Sequence, residues 1–178
     1  HQYPCQLSGG MCQRVMLSIA MVLSPKLLIA DEATTNLDVT LQAQILGHIR
    51  RMKTERGSSV ILISHDLGVV AQMADEVAVM YAGQVVEHAD TPTLFQRPAH
   101  PYTWGLLQAV TRLDRPGRPL VSLPGIPPNL IDLPDQCPFL PRCHKARNEC
   151  RLNPHPPLRE IEPGHTVACY NRILHDWD

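Results

Sequence analysis

The sequence has 178 residues, enough for one domain with an apolar core and a smaller appendage. Its 16 basic and 17 acidic residues nearly cancel, so bulk charge provides no attraction to nucleic acid or to anionic lipid. No apolar run approaches the roughly 18 to 20 residues that cross a bilayer, and no signal peptide is recognisable. We therefore expect a cytosolic protein.

The N-terminal part of the sequence predicts a helix followed by a buried strand. Ser8 can cap a helix over about residues 10–23, because its side chain can accept a hydrogen bond from a free backbone N–H. The apolar face of this helix is formed by Val15, Ile19 and Val22. Residues 27–30 are continuously apolar, which is typical of a strand buried on both faces of a parallel sheet.

A second helix and a second strand repeat this pattern. Asp38 can cap a long amphipathic helix that ends at Gly57. The apolar stripe of that helix is formed by Leu41, Ile45, Ile49 and Met52. Residues 60–64 follow as another buried strand, and a short helix is expected over residues 67–73. Alternating strands and helices favour a layered α/β sheet.

The remaining sequence changes character along its length. Residues 77–80 and 84–87 predict two strands of a hairpin. Two short helices are expected after it, over residues 93–96 and 102–110. Beyond residue 112 the sequence is rich in proline and is expected to be irregular.

Residues with phosphate and metal chemistry stand where predicted strands end or a helix begins, which is where open α/β sheets bind ligands. Ser8-Gly9-Gly10 opens a helix, and free N–H groups there suit an anion such as phosphate. Of the carboxylates Asp31 and Glu32, one can hold Mg²⁺ while the other orients or deprotonates water. His65 ends the neighbouring strand, within reach of a terminal phosphate. Each feature alone is usually structural, and their order carries the functional interpretation.

In this order and spacing the motifs resemble those of ABC ATPases. Residues 7–10 look like the signature motif and residues 27–32 like the Walker B strand. Residues 36–38 look like the D-loop, and His65 looks like the switch histidine. The resemblance implies an α/β fold, namely part of the layered sheet of an ABC-type P-loop NTPase, with a small Pro/Cys-rich C-terminal extension.

The resemblance to ABC ATPases also implies roles for individual residues. In that family two subunits sandwich ATP, and each signature motif faces the phosphate held by the other subunit's P-loop. Glu32 would be the general base and His65 would contact the γ-phosphate, while Asp31 would assist Mg²⁺. The implied nucleotide-binding residues are Ser8, Gly9, Gly10, Gln13, Asp31 and Asp38.

Departures from the family pattern concern single positions and one whole motif. The single positions are Met11, Cys12, Ala33 and Asn36. The changes at Ala33 and Asn36 remove no chemical group, whereas Cys12 stands where relatives commonly carry a basic residue and is expected to weaken contact to phosphate or ribose. No G-x-x-x-x-G-K-[ST] loop occurs in the sequence, and in ABC ATPases that loop lies upstream of the signature motif. The resemblance therefore implies a C-terminal part without the Walker A half, and we expect this chain alone not to hydrolyse ATP.

The C-terminal sequence narrows the resemblance. Residues 100–103, 125–130 and 137–143 are similar to the C-terminal extension of oligopeptide/dipeptide-type ABC ATPases. We expect residues 1–90 to form the C-terminal part of the ATPase domain and residues 91–178 to form this extension. Nickel and some antimicrobial-peptide uptake ATPases share parts of it, so it does not fix the substrate.

Four cysteines of the extension suggest a metal site. Cys137, Cys143, Cys150 and Cys169 follow the spacing C-x5-C-x6-C-x18-C. Four thiolates suit a [4Fe–4S] cluster or tetrahedral Zn²⁺. The spacing lacks the C-x2-C knuckles common in zinc sites, which together with the resemblance favours iron–sulfur. Zinc, and free thiols or partial disulfides, are the alternatives.

The resemblance as a whole implies an ATP-hydrolysing subunit that energises import of oligopeptides or dipeptides, peripheral on the cytoplasmic face of the inner membrane. The implied partners are a second ATPase subunit, two transmembrane permeases and, indirectly, a substrate-binding protein, with no nucleic acid. Alternatives are an importer for nickel or another substrate, or an inactive remnant that binds only a metal cluster. The peptide-importer extension disfavours a soluble ABC ATPase acting on DNA or ribosomes.

Overall fold

The computed structural model of the chain describes residues 3–35, 37–109 and 123–174. The chain forms two compact units that divide between Met73 and Ala74. The sequence predicts that the ATPase domain ends at residue 90 and that the extension begins there. That family-domain boundary is a different quantity from the division into compact units, and it stays a prediction.

The first unit alternates helices and strands, as the sequence predicts. After a turn of 3-10 helix at Pro4–Gln6, its elements are α1 (Gly9–Met21), β1 (Leu27–Asp31), α2 (Val39–Arg56), β2 (Ser59–Ile63) and α3 (Leu67–Met73). Strands β1 and β2 pair in parallel, with Asp31 opposite Ile63. Parallel strands require a crossover connection, and α2 provides it.

The predicted caps of the two long helices are confirmed. Ser8 accepts a hydrogen bond from the backbone N–H of Met11 at 3.4 Å and begins α1. Asp38 Oδ1 accepts from the N–H of Leu41 at 2.9 Å and begins α2. Gly57, at φ 65°, ends α2 in the left-handed conformation that glycine adopts without a Cβ penalty.

The core of the first unit lies between α2 and one face of the two strands. Its buried residues are Leu28, Ala30, Ile45, Ile49 and Met52. The prediction that the strands are buried on both faces is wrong for the described chain, because Ile29 and Ile61 are 61% and 49% exposed. Side chains alternate between the faces of a sheet, and α2 covers only one face.

Helix α1 packs with a different face from the one predicted. Leu17 and Met21 contact the core, whereas the predicted stripe of Val15, Ile19 and Val22 is exposed. The helix carries two apolar sets at helical spacing, and periodicity alone does not say which set meets α2. No helix in the described part of the chain is both long enough and apolar enough to span a membrane.

The second unit is built on an antiparallel sheet. Its elements are β3 (Glu76–Tyr81), β4 (Gln84–Asp90), α4 (Thr91–Gln96), α5 (Pro101–Ala109), a 3-10 turn at Leu140–Arg142, α6 (Asn148–Leu152), β5 (Arg159–Glu162) and β6 (His165–Val167). The hairpin and both short helices confirm the sequence predictions, although Val110, the predicted end of the second helix, lies outside the described residues. The sheet order is β3-β4-β6-β5.

A buried carboxylate connects three parts of this second unit. The Glu87 side chain is fully buried in β4 and accepts hydrogen bonds from the N–H groups of Ala99 and His100, at 2.6 and 2.9 Å. It also lies 2.8 Å from Nε2 of His165 in β6. Burying polar atoms is costly unless they are hydrogen-bonded, and here three partners surround the Glu87 carboxyl group. The C-terminal strands β6 and β5 continue the sheet next to β4, whereas the sequence predicted an irregular segment beyond residue 112.

Candidate functional site

Glu32 and His65, which follow β1 and β2 respectively, lie in direct contact. The backbone N–H of Glu32 donates to the carbonyl of Ile63 at 3.0 Å, which extends the parallel pairing by one residue. At that point Glu32 Oε1 and Nδ1 of His65 are 2.9 Å apart. The two residues predicted as general base and phosphate contact are therefore brought together by strand register.

The backbone of Glu32 is held in a strained conformation. Its φ of 47° lies in the left-handed region, which residues other than glycine seldom adopt. Hydrogen bonds on both sides maintain it, because the N–H is bound to Ile63 and the carbonyl accepts from the N–H of Thr35 at 3.1 Å. Strain held in this way is frequent at functional sites.

Thr35 is part of the site although sequence reasoning missed it. Its hydroxyl donates to Glu32 Oε2, the carboxylate oxygen that faces away from His65. Its carbonyl accepts from Nε2 of Gln13 at 3.3 Å, which links α1 to this turn. The spacing of a threonine three residues after an acidic residue was the available signal, since such side chains form local hydrogen bonds in turns.

The contacts of the pair shift both ionisation equilibria toward the charged forms. The hydroxyl of Thr35, followed by His65, lowers the pKa of Glu32, and the hydrogen bond and charge of Glu32 raise the pKa of His65. The contact between the two charged side chains stabilises the fold only while both are ionised. Its contribution is therefore lost when pH rises through the raised pKa of His65, or when pH falls through the lowered pKa of Glu32. The side chain of His65 is 75% exposed and that of Glu32 is 40% exposed. Water therefore screens the pair, and a ligand can reach it.

A polar cleft of about 240 Å³ lies beside the pair. Its walls include Thr35, Gln42, His65 and Asp66. Gln42 Nε2 donates to Asp66 Oδ2 at 3.3 Å, so the side of α2 is tied to the start of α3. Neither residue was singled out from the sequence. The cleft places hydroxyl, amide, imidazole and carboxylate groups around one opening.

The other predicted site residues of the first unit lie at element ends. Asp31 is exposed at the end of β1, and Ser8 and Gly9 are exposed at the start of α1. Gly10 is half-buried beneath Leu41, whose side chain a Cβ at this position would strike. Asp38 caps α2 and Gln13 holds Thr35, so both have contacts within the chain. Asn36 of the predicted D-loop lies outside the described residues.

The four cysteines of the predicted metal site are present as thiols. Burial raises the pKa of Cys137 and Cys143, and it raises the pKa of Cys169 to about 12. Repulsion from Cys143, Cys137 and Cys150 adds to the shift at Cys169, so the four thiols share one neighbourhood. Among the described residues, however, no three Cys, His, Asp or Glu side chains are arranged to hold a metal ion. The predicted cluster site is therefore not confirmed.

Comparison with known proteins finds two matching family models. The model described as "Oligopeptide/dipeptide transporter, C-terminal region" matches residues 86–150, and the model described as "ABC transporter" matches residues 1–35. The first match includes the start of the predicted extension and three of its four cysteines. The second includes the glycine-led helix, β1 and Glu32 directly after it.

Several curated relatives match nearly the whole chain, and two of them serve as examples. The oligopeptide transport ATP-binding protein OppD of Salmonella typhimurium is 50% identical over 171 residues, which cover 96% of this chain and 50% of that protein. The dipeptide transport ATP-binding protein DppD of Bacillus subtilis is 49% identical over 170 residues, which cover 95% of this chain and 50% of that protein. The chain thus spans about half the length of the curated relatives it matches.

Among solved structures, an ATP-binding cassette in a dimeric post-hydrolysis state, bound to ADP and Pi, overlaps with a TM-score of 0.48. Its sequence is 28% identical, and the overlap covers 51% of this chain and 38% of that chain. The α/β assignment of the first unit rests on its own strands and helices, which alternate in the predicted order.

Replacing Glu32 by Gln should return the pKa of His65 toward its ordinary value, because the substitution removes the negative charge that favours the protonated imidazole. Titration of the His65 ring resonances by NMR measures this directly. Glu55→Gln, an exposed position near the end of α2, is the matched control and should leave the titration unchanged. An unaltered His65 titration in Glu32→Gln would contradict the contact.

Proposed function

Since the chain belongs to the family of ATP-binding proteins of oligopeptide/dipeptide-type ABC transporters, we propose that it forms part of the ATP-hydrolysing subunit that energises peptide import. The observation that carries the proposal is the contact between Glu32 and His65 beside an open polar cleft. The names of the relatives and the matched C-terminal region support peptides over nickel or another substrate.

The chemistry of the pair suits hydrolysis of a phosphoanhydride bond. A carboxylate with a lowered pKa is ionised at neutral pH, so Glu32 can accept a proton from an attacking water molecule. The raised pKa of His65 increases the fraction of protonated imidazole. Because Glu32 engages Nδ1, the ring atom Nε2 of His65 is the one that would meet a γ-phosphate oxygen. Glu32 would thus orient both the water and the imidazole.

Asp31 is the residue that would hold Mg²⁺. It is exposed at the end of β1, next to Glu32, and an ionised carboxylate supplies the hard oxygen ligand that Mg²⁺ prefers. When bound, the ion would neutralise charge on the phosphate oxygens. The role of Asp31 is thereby separated from that of Glu32, whose two oxygens already have partners within the chain.

The start of α1 is proposed to contact the nucleotide held by a second ATPase subunit. Ser8 and Gly9 are exposed there, and a helix N-terminus attracts phosphate through its free N–H groups and its dipole. A Cβ added at Gly9 would meet no other atom of the chain. Packing within the chain therefore does not require glycine there, whereas a ligand that approaches the backbone closely would. Gly10 keeps α1 close to α2. Gln13 and Asp38 would act indirectly, through the Thr35 turn and the α2 cap.

The proposed assembly contains a second ATPase subunit, identical or paralogous, and two transmembrane permeases. A substrate-binding protein would act through the permeases, and the chain would lie on the cytoplasmic face of the membrane. The transport role in the printed names of the relatives supports an assembly with membrane partners. The contact between Glu32 and His65 supports a hydrolytic subunit over an inactive remnant. Hydrolysis would require a Walker A loop, which this sequence lacks.

The four cysteines of the second unit are proposed to hold a [4Fe–4S] cluster, with zinc as the alternative metal. The support is the shared neighbourhood of the four cysteines. A bound cationic centre would offset the repulsion between their thiolates and would so favour their ionised form. Loading would require the side chains to turn toward one another, because the described arrangement does not form a ligand set.

In the transporter assembly that contains this chain, Glu32→Gln should lower kcat for Mg²⁺-dependent ATP hydrolysis by about 10²–10⁴-fold. The KM for ATP should change much less than kcat, because Glu32 acts on the attacking water and reaches the nucleotide only through His65. Steady-state hydrolysis assays with Glu55→Gln as the control measure both constants. Unchanged kcat in Glu32→Gln would refute the proposed role.

Anaerobically purified chain should contain about four iron atoms per molecule and absorb visible light as iron–sulfur proteins do. Cys150→Ser should lose the iron, whereas Cys5→Ser, an exposed cysteine of the first unit, should retain it. Metal analysis with visible absorption distinguishes the alternatives. One zinc per chain without iron would replace the cluster by a zinc site, and absence of both metals would leave four thiols.

A further inference from the structure

We propose that Thr35 is a positioning residue for the candidate hydrolytic site: its hydroxyl holds the carboxylate of Glu32 in the orientation that meets His65. The inference rests on the proposed role of Glu32 in ATP hydrolysis. It is carried by the hydrogen bonds around the turn that follows β1, and its decisive test does not require turnover.

The two oxygens of the Glu32 carboxylate have two different partners. Oε1 lies 2.9 Å from Nδ1 of His65, and Oε2 accepts the hydroxyl of Thr35. The last torsion of a glutamate side chain is broad when nothing restrains it. Partners on both oxygens restrain that torsion, although the Glu32 side chain as a whole is 40% exposed to water. Removing the Thr35 hydroxyl would leave one contact to compete with solvent.

Thr35 is itself fixed through its backbone. Its N–H donates to the carbonyl of Glu32 at 3.1 Å, and its carbonyl accepts from Gln13 Nε2 at 3.3 Å. The backbone that carries the hydroxyl side chain is therefore fixed by two hydrogen bonds. The contact from Gln13 also connects the turn to α1, the helix that begins at the glycine-rich motif.

The amide of Gln13 supports a role beyond stability. Its Oε1 atom is buried without a hydrogen-bond partner among the described residues. Leaving a buried acceptor unpaired destabilises the folded chain, so an apolar side chain would be favoured here if packing alone mattered. The other end of the same amide, Nε2, donates a hydrogen bond to the Thr35 carbonyl. A change in the position of α1 would therefore act on Thr35, and through Thr35 on Glu32.

A purely structural role for Thr35 makes a different prediction. Threonine often caps a turn with its side chain, and such a residue affects stability when it is replaced. It would not affect the ionisation of His65, which Thr35 contacts only through Glu32. The titration of His65 thus separates positioning from turn stabilisation.

The test compares Thr35→Val, which keeps the shape of the side chain, with Thr35→Ser, which keeps the hydroxyl. The pKa of His65 is measured by NMR titration of the full 178-residue chain, with Glu32→Gln as the reference for a lost contact. Thr35→Val should move the pKa of His65 most of the way to the Glu32→Gln value. Thr35→Ser should keep it at the value of the unmodified chain. Gln13→Ala should shift it in the same direction by a smaller amount.

A His65 titration that is unchanged in Thr35→Val, or whose pKa rises further, overturns the proposal. If Thr35→Val does not fold, the three-bond couplings of Thr35 in the unmodified chain decide: a single χ1 rotamer is expected, and averaging between rotamers overturns the proposal. Hydrolysis that survives Glu32→Gln would defeat the proposed function, whereas the titration result on Thr35 would stand independently.

Discussion

The parallel pairing of β1 with β2 is the constraint on which the candidate site depends. Parallel strands end at the same edge of a sheet, so the residues that follow them meet there. The register places Asp31 opposite Ile63, and one further backbone hydrogen bond brings Glu32 to that edge. The packing of α2 on one face of the strands fixes the register, since a slip of one residue would turn the buried side chains outward.

The two units of the chain hold their acidic residues in opposite ways. Glu87 is fully buried; it accepts from the N–H groups of Ala99 and His100 and contacts His165, so it links β4 to the loop before α5 and to β6. Glu32 is partly exposed, and its backbone is strained. Its two carboxylate oxygens contact the Thr35 hydroxyl and the His65 imidazole. The first arrangement stabilises a fold. The second leaves a charged group accessible and oriented, which a hydrolytic site requires.

Sequence reasoning predicted the elements of the first unit because caps, breakers and apolar spacing all agree there, as at Asp38 and Gly57. It failed where one pattern fits two packings: α1 carries two apolar faces, and a continuous apolar strand need not be covered on both sides. Glu32 and His65 were predicted from motif order, yet Thr35 was not, because its role depends on where a hydroxyl points. The three-residue strand β6 was missed because its pairing with β4 is non-local.

The central claim is that Glu32 and His65 act as one unit at the edge of the β1–β2 pair. A double-mutant cycle with Glu32→Gln and His65→Ala, read as kcat for ATP hydrolysis in the transporter assembly, tests it most directly. The account predicts that the double variant is no slower than the slower single variant, because either change already disrupts the shared contact. Losses that multiply would show two independent residues and contradict the account.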